Sequence, residues 1–263
     1  MGGAARRNTT FARMRTPDFP HYHQKSKAEI AADRYERWDP TVLRQVILHQ
    51  CDAMHGGAYP SQPVLDYFGE WLPTTVAELR VVEVGCGVGR MIAELAIQHP
   101  DWHCTGLDYS QALLKQAHRT YTRADEQVID AARFGWGRPT VPGHQVANVD
   151  WGLAKAEALP YEAGSVDVVL SSFLLDRLED PLAALLEWQR VLPPGGRVVG
   201  VTPLNFFRAK LWDKFYPPIK LVQAIVQQGW TLLDWREGVP VNEPLDGHGN
   251  AVNWQAVGFC LMK

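Results

Sequence analysis

The sequence has little cysteine. Cys51, Cys86, Cys104 and Cys260 are scattered, and no two form a C-x-x-C pair. That excludes a disulfide framework and a cysteine-built structural zinc site, and reads as a reduced, cytoplasmic protein. His21 and His23 alternate, but no H-x-x-x-H or Cys/His set accompanies them, so no metal is expected. No apolar run approaches the roughly 20 residues that a membrane-spanning helix needs, so no membrane span is expected. Charge of one sign is also lacking. The 26 Lys and Arg against 29 Asp and Glu leave a net charge of −3, unlike the basic composition of a nucleic-acid-binding chain. There are no internal repeats, and no linker cuts the chain into independent domains. Oligomeric state leaves no signature.

The N-terminus carries Arg6, Arg7, Arg13 and Arg15 before its first acid, Asp18. A secretory peptide would follow these charges with an apolar stretch, and none follows. Gly2 is present, but Arg6 stands where N-myristoylation needs Ser or Thr. A solvated tail is expected, with an organelle-targeting segment as the alternative.

What is present is apolar bulk. With 263 residues, 46% of them hydrophobic, the chain can bury a full core without metals or disulfides. Residues 1–24 read as a flexible segment, and residues 25–77 as a helical cap or lid. Within that cap, Asp39-Pro40 breaks one helical run in two, and Val64 to Trp71 forms another. From Arg80 the pattern changes to strand, glycine loop, helix, strand and helix, the order of a parallel sheet with crossover helices. The expected strands are Arg80 to Val84, Asp101 to Leu107, Ala147 to Val149, Asp167 to Ser171 and Val198 to Thr202. Trp230 to Trp235 and Trp254 to Leu261 follow, joined by a polar, glycine-containing segment. Insertions are expected at 118–148 and 204–218.

Gly85-x-Gly87-x-Gly89 follows the first strand and opens a helix. Small residues there admit a sharp turn and close approach of a ligand to backbone amides. A turn with no ligand is the plain alternative. A dinucleotide loop is G-x-G-x-x-G, and here the third glycine comes one residue early. Asp108 ends the second strand, where an acid can accept both hydroxyls of a ribose or cap the next helix.

These segments resemble the class I methyltransferases. Val81-Val82-Glu83-Val84-Gly85-Cys86-Gly87-Val88-Gly89 is similar to their first motif, and Leu107-Asp108-Tyr109-Ser110 to their second. Glu157-Ala158-Leu159-Pro160-Tyr161, then Ser165-Val166-Asp167-Val168-Val169, resemble the approach to their fourth strand. Arg190-Val191-Leu192-Pro193-Pro194-Gly195-Gly196 resembles the turn before their fifth. The resemblance covers roughly residues 78 to 203 and is nearest to the menaquinone and ubiquinone C-methyltransferases.

It implies an α/β, Rossmann-like, seven-stranded, mostly parallel sheet with a C-terminal antiparallel hairpin and helices on both faces, filling residues 78–263. It implies S-adenosylmethionine as cofactor and a small-molecule acceptor. Gly85 and Gly87, with Cys86 and Gly89 in the same loop, would lie against the methionine part, and Glu83 would organise its amino-acid end. Asp108 would hold the ribose, with Tyr109, Ala156 and Glu157 about the adenine. Ser171 and Phe173 would face the cleft. Two positions depart from the pattern: Lys155 replaces a frequent Asp, and Asp176 a frequent His.

Substrate-facing candidates come from outside the nucleotide half. They are His21, Tyr22, Tyr35 and Trp38 near the N-terminus, Phe207, Trp212 and Tyr216 in the second insertion, and His248. Each has an ordinary packing or surface alternative. No catalytic triad is recognisable, and none is required when the cofactor brings its own leaving group. The competing readings are an NAD-dependent oxidoreductase, a non-catalytic cofactor- or partner-binding protein on the same fold, and a nucleic-acid methyltransferase.

Overall fold

The computed structural model describes residues 18–73 and 78–263. The arginines of the N-terminal tail lie outside the described residues. Helices α1 (Lys27–Ala32), α2 (Leu43–Gln50) and α3 (Gln62–Trp71) precede the sheet. Then come β1 (Arg80–Val84), α4 (Arg90–Gln98), β2 (His103–Asp108) and α5 (Gln111–Tyr121). A small insertion carries β3 (Gln127–Val128) and β4 (Thr140–Val141), and β5 (Val149–Leu153) re-enters the sheet. The rest is β6 (Val168–Ser172), α6 (Pro181–Val191), β7 (Arg197–Thr202), α7 (Ala209–Phe215), α8 (Ile219–Gln227), β8 (Thr231–Pro244) and β9 (Ala251–Met262).

The seven-stranded sheet runs β5-β2-β1-β6-β7-β9-β8. Its first five strands are parallel, while β9 is antiparallel to both β7 and β8. Order reverses between β1, which leads outward to β2, and β6 on its other side. In open α/β sheets such a switch opens a crevice beyond the carboxyl ends of the strands.

Strand alternation divides the core in two. Val81, Val168, Val199 and Cys260 face α3, α4 and α5. Val82, Val169, Val198 and Leu261 face α6, α7 and α8. A third cluster joins Val42, Val46 and Ile47 of the cap to Ile129, Trp136 and Val141 of the insertion, so the insertion props the cap.

Three segments differ from the sequence-based expectation. The third large-sheet strand is Val149–Leu153 rather than 147–149, because Asp150 and Gly152 break its apolar signal. The hairpin is far longer than expected: Gly238, Pro240, Pro244 and the asparagines read as loop but pair as strand. Pro240 is tolerated because β8 is the sheet edge. Residues 18–24 are docked rather than loose. Phe19 is buried, His21 bridges Leu153, and Leu153 N donates to Pro20 O at 3.0 Å. All four cysteines, Cys51, Cys86, Cys104 and Cys260, are buried and free. Among the described residues no helix is long and apolar enough to cross a membrane.

Two strand glycines exist to seat an aromatic ring. Gly106 is registered with Trp151 and Gly200 with Phe259. A Cβ on Gly106 would lie 2.6 Å from the Trp151 ring, and one on Gly200 would collide with the Phe259 ring. A ring folded over a strand glycine covers backbone that would otherwise be left bare. Gly200→Ala is therefore expected to destabilise the chain by about 1–3 kcal/mol through overpacking, read as a lower urea midpoint. Adding Phe259→Leu should restore part of the loss, and an unchanged midpoint for Gly200→Ala would sink this account.

Candidate functional site

The loop after β1 turns back sharply, with Gly85, Gly87 and Gly89 at φ of +78°, +57° and +81°. Gly85 N and Cys86 N both donate to Leu107 O, at 2.8 and 3.0 Å, which folds the loop against the end of β2. Asp108 completes the tie. Its Oδ2 accepts from Gly87 N at 2.9 Å, and its Oδ1 from Ser110 N at 2.7 Å. Burial pushes this carboxyl up to about 6, against the pull of those two backbone N–H groups.

Glu83 lies beneath the loop. Its Oε2 accepts from Ile92 N at 3.1 Å, and Ser172 Oγ donates to its Oε1 at 3.5 Å. Burial raises it to about 8, opposed by the Ile92 N–H and reinforced by the nearby Asp108 charge. At neutral pH Glu83 is therefore largely protonated and can be buried without a counterion.

These groups form one wall of a cavity of about 460 Å³. Glu83, Gly85, Cys86, Gly87, Asp108, Tyr109 and Phe173 line it, and Tyr35 closes it from the cap. A second group of lining residues was not singled out in the sequence: Arg34, Arg44, His49, Arg177 and Glu243. His49 is held below its usual range, at about 4, first by burial and then by the Arg90 charge. Its Nδ1 lies 2.7 Å from Tyr59 Oη. No local pattern marks these residues, because the cap, the β6 loop and the hairpin meet only in three dimensions.

The remaining sequence candidates lie elsewhere. Gly89 starts α4 against Trp151 and Ala117. Ser171 is buried toward the other side of β6, and the adjacent Ser172 lines the cavity instead. Ala156 spends its carbonyl on Trp188 Nε1 at 3.0 Å, and Glu157 does not line the cavity. His21 and Tyr22 sit over β5 through Leu153 and Gly152. Trp38, Phe207, Trp212 and Tyr216 are exposed to 44%, 49%, 38% and 58%. His248 packs on Gly135 at the hairpin tip.

The two departures also find places. Lys155 Nζ lies 4.0 Å from Glu29 Oε1 and 5.2 Å from the centre of the Tyr109 ring. Asp176 is fully buried, with Oδ1 accepting from Thr202 Oγ1 at 3.2 Å. It anchors the loop after β7 rather than entering the cavity.

Residues 82–200 match the methyltransferase-domain family. An uncharacterised methyltransferase of Schizosaccharomyces pombe is 29% identical over 145 residues, which is 55% of this chain and 47% of that protein. A ubiquinone/menaquinone biosynthesis C-methyltransferase of Hahella chejuensis is 34% identical over 105 residues, 38% of this chain and 42% of that one. The chain thus spans less than half the length of these curated relatives. Among solved structures, the 4+2 cyclase SpnF superposes with a TM-score of 0.53 at 22% identity, covering 77% of this chain and 72% of its own. That last likeness concerns the fold alone. The sheet has the fold of the class I methyltransferases, a class whose cofactor is S-adenosylmethionine, and residues 82–200 resemble their domain. Within that class the chain resembles the ubiquinone and menaquinone C-methyltransferases.

The buried Glu83 has a measurable consequence. Its folded-state value lies above its ordinary one, so it favours the folded chain below about pH 4.5, and that contribution is lost as pH rises through about 8. Wild-type stability should therefore decline between pH 5 and 8 relative to Glu83→Gln, by at most about 1.4 kcal/mol per pH unit. Urea unfolding across that range tests this, and parallel curves for the two proteins would contradict it.

Proposed function

We propose that the chain transfers a methyl group from S-adenosylmethionine to a small-molecule acceptor. The observation that carries this is the Asp108-tied glycine loop, which opens into the same cavity as the cap, the β6 loop and the hairpin. One wall suits a nucleoside and an amino acid, and the other is free for a second molecule.

The residues present fit the cofactor. Each Asp108 oxygen accepts only one backbone N–H, which leaves acceptor capacity for ribose hydroxyls. Gly85 and Gly87 leave the loop backbone bare beside the methionine portion. Tyr109 and Glu83 bound the two ends. When bound, the cofactor supplies an activated methyl on a sulfonium leaving group.

This chain's residues then have three tasks: to bind, to orient and to exclude water. The segment from Phe19 to Glu36 supports the last. Lys25 Nζ donates to Tyr109 O at 2.7 Å, and Tyr109 Oη donates to Glu29 Oε1 at 2.8 Å. This strap closes the nucleoside end against solvent, as lids do in enzymes that must shield a reaction. At neutral pH His49 is uncharged, so it adds no charge to that of the arginines that line the cavity with it.

A small acceptor is favoured over a nucleic acid because the site is a cavity of about 460 Å³ and the net charge is −3. Four buried free thiols favour a cytoplasmic location.

Calorimetric titration with S-adenosylmethionine, with NAD as control, is the direct test. One-site binding is expected, weakened about tenfold or more in Asp108→Ala, as loss of a charge-assisted contact predicts. Because Asp108 must be ionised to accept ribose hydroxyls best, affinity should rise from pH 5 to 7 through about 6. No binding by folded protein, or preference for NAD, would overturn the reading.

A further inference from the structure

The second wall of the cavity has a chemistry of its own. Three guanidinium groups line it, Arg34, Arg44 and Arg177, and each lies over an aromatic ring and makes no carboxylate hydrogen bond among the described residues. Arg34 Cζ lies 4.8 Å from the centre of the Tyr35 ring and 5.1 Å from that of Phe207. Arg177 Cζ lies 4.0 Å from the same Phe207 centre. Arg44 Cζ lies 5.2 Å from that of Phe134, in the insertion.

Stacking occupies the flat face of a guanidinium and leaves its N–H edge free. Arg34 gives one donor to Tyr35 Oη at 2.9 Å. Arg177 Nε approaches Asp176 Oδ2 at 3.6 Å, too far for a hydrogen bond, and is buried without a partner. Among the described residues neither Arg34 nor Arg44 forms an ion pair.

Other charges around the cavity are already committed. Arg90 is paired with Asp52 and Glu94, and Asp33 with Lys25. Glu243 is the one carboxylate lining the acceptor wall without a cationic partner among the described residues, and its Oε2 accepts from Trp254 Nε1 at 2.8 Å. Two guanidinium groups without an ion pair among the described residues, Arg34 and Arg44, and a third, Arg177, whose one acid neighbour is Asp176 at 3.6 Å, therefore share the cavity with one unpaired carboxylate. Leu48, Phe173, Leu178 and Val241 supply apolar surface between them.

We infer that the second occupant of this cavity is an organic oxyanion, with a carboxylate, sulfonate or phosphate carried on an apolar body. Arg34, Arg44 and Arg177 take the oxyanion by charge-assisted hydrogen bonds, and the apolar lining takes the body. Phe207 is a positioning residue, which backs Arg34 and Arg177 without lining the cavity. The identity of this occupant as the methyl acceptor rests on the function proposed above. The anion site itself does not.

The test uses a matched pair of fluorescent probes: anilinonaphthalene sulfonate, and phenylnaphthylamine, which has the same rings without the anion. Both are titrated into the full chain loaded with S-adenosylhomocysteine. The sulfonate should bind at least about tenfold tighter than the neutral probe. Arg177→Gln should lose most of that preference, and the triple Arg→Gln variant all of it. Affinity for S-adenosylhomocysteine should stay within about twofold.

Near-UV circular dichroism confirms that each variant is folded. If the triple variant is not, Arg44→Gln alone, at an exposed position, must still lower sulfonate affinity. Equal binding of the two probes overturns the inference, as does a preference that survives in the folded variants. A fall in S-adenosylhomocysteine affinity overturns it too, since the arginines would then serve the cofactor. If the protein binds no S-adenosylhomocysteine at all, the methyltransferase reading fails, and the same probe comparison on the free chain decides the anion site.

Discussion

The carboxylate of Asp108 ties the glycine loop to the start of α5 at the edge of the cavity. It is desolvated, and it stays in place because Gly87 N and Ser110 N both point at it. Through Gly87 it fixes a loop whose three glycines occupy left-handed conformations, a backbone state that ordinary residues resist. Through Ser110 it fixes the start of α5. The next elements are then built outward from this corner. Tyr109 offers its carbonyl to Lys25 and its hydroxyl to Glu29, and Ser110 Oγ donates to Tyr35 O at 2.6 Å. Gln111 N and Ala112 N donate to the two oxygens of Glu36, at 2.9 and 3.1 Å. Asp108 at the end of β2 thus carries the glycine loop, and the four residues that follow it carry the strap.

That attachment is electrostatic, and its energetics argue for register more than for stability. The Lys25 side chain is only 2% exposed and touches Asp33 at 2.8 Å and Glu36 at 2.7 Å. Removing three charges from water costs several kcal/mol per ion, and pairing returns much of that without a large surplus. What the arrangement achieves is placement. Glu36 also caps α5, where a helix N-terminus favours an acid. With Lys25 and Glu36 fixed, the turn between them places Arg34 and Tyr35 where both line the cavity.

The sheet was legible in the sequence because its strands carry local signals. Val81, Val82 and Val84 and the run Val168 to Leu170 are strongly apolar, and the crossover helices carry their own apolar period. The glycine loop and Asp108 were legible for the same reason: their chemistry is contiguous. The opposite wall was not. Arg34 reads as a charge in a polar turn, Arg177 as one on a short loop, and Glu243 as part of a glycine-bearing connection. Their shared cavity depends on β8 extending to Pro244, a length hidden by Gly238 and Pro240. The aromatic cluster after β7 misled in the opposite direction. Phe206 and Phe215 are core residues, while Phe207, Trp212 and Tyr216 face outward. The bulk of an aromatic side chain predicts apolar contact without saying with what.

Taken with the proposed function, the two walls divide the charge of the cavity in a useful way. Asp108 and Glu83 lie on one side, where acids can stabilise a cation. The three stacked guanidinium groups lie on the other, where only an anion gains. The carboxyl groups carry raised values in the free chain, so a positive occupant beside them would favour their ionised forms. The guanidinium groups have no such adjustment available, because arginine stays charged at any physiological pH. An asymmetry follows: the acid wall can adapt its charge to what it binds, while the arginine wall imposes its preference. Choice of second ligand therefore rests on the wall that is fixed in charge and assembled from three separate parts of the chain. That wall lies only partly within the segment matched to the family, residues 82–200. Of its three arginines only Arg177 lies inside that segment, and Arg34 and Arg44 come from the cap that precedes it.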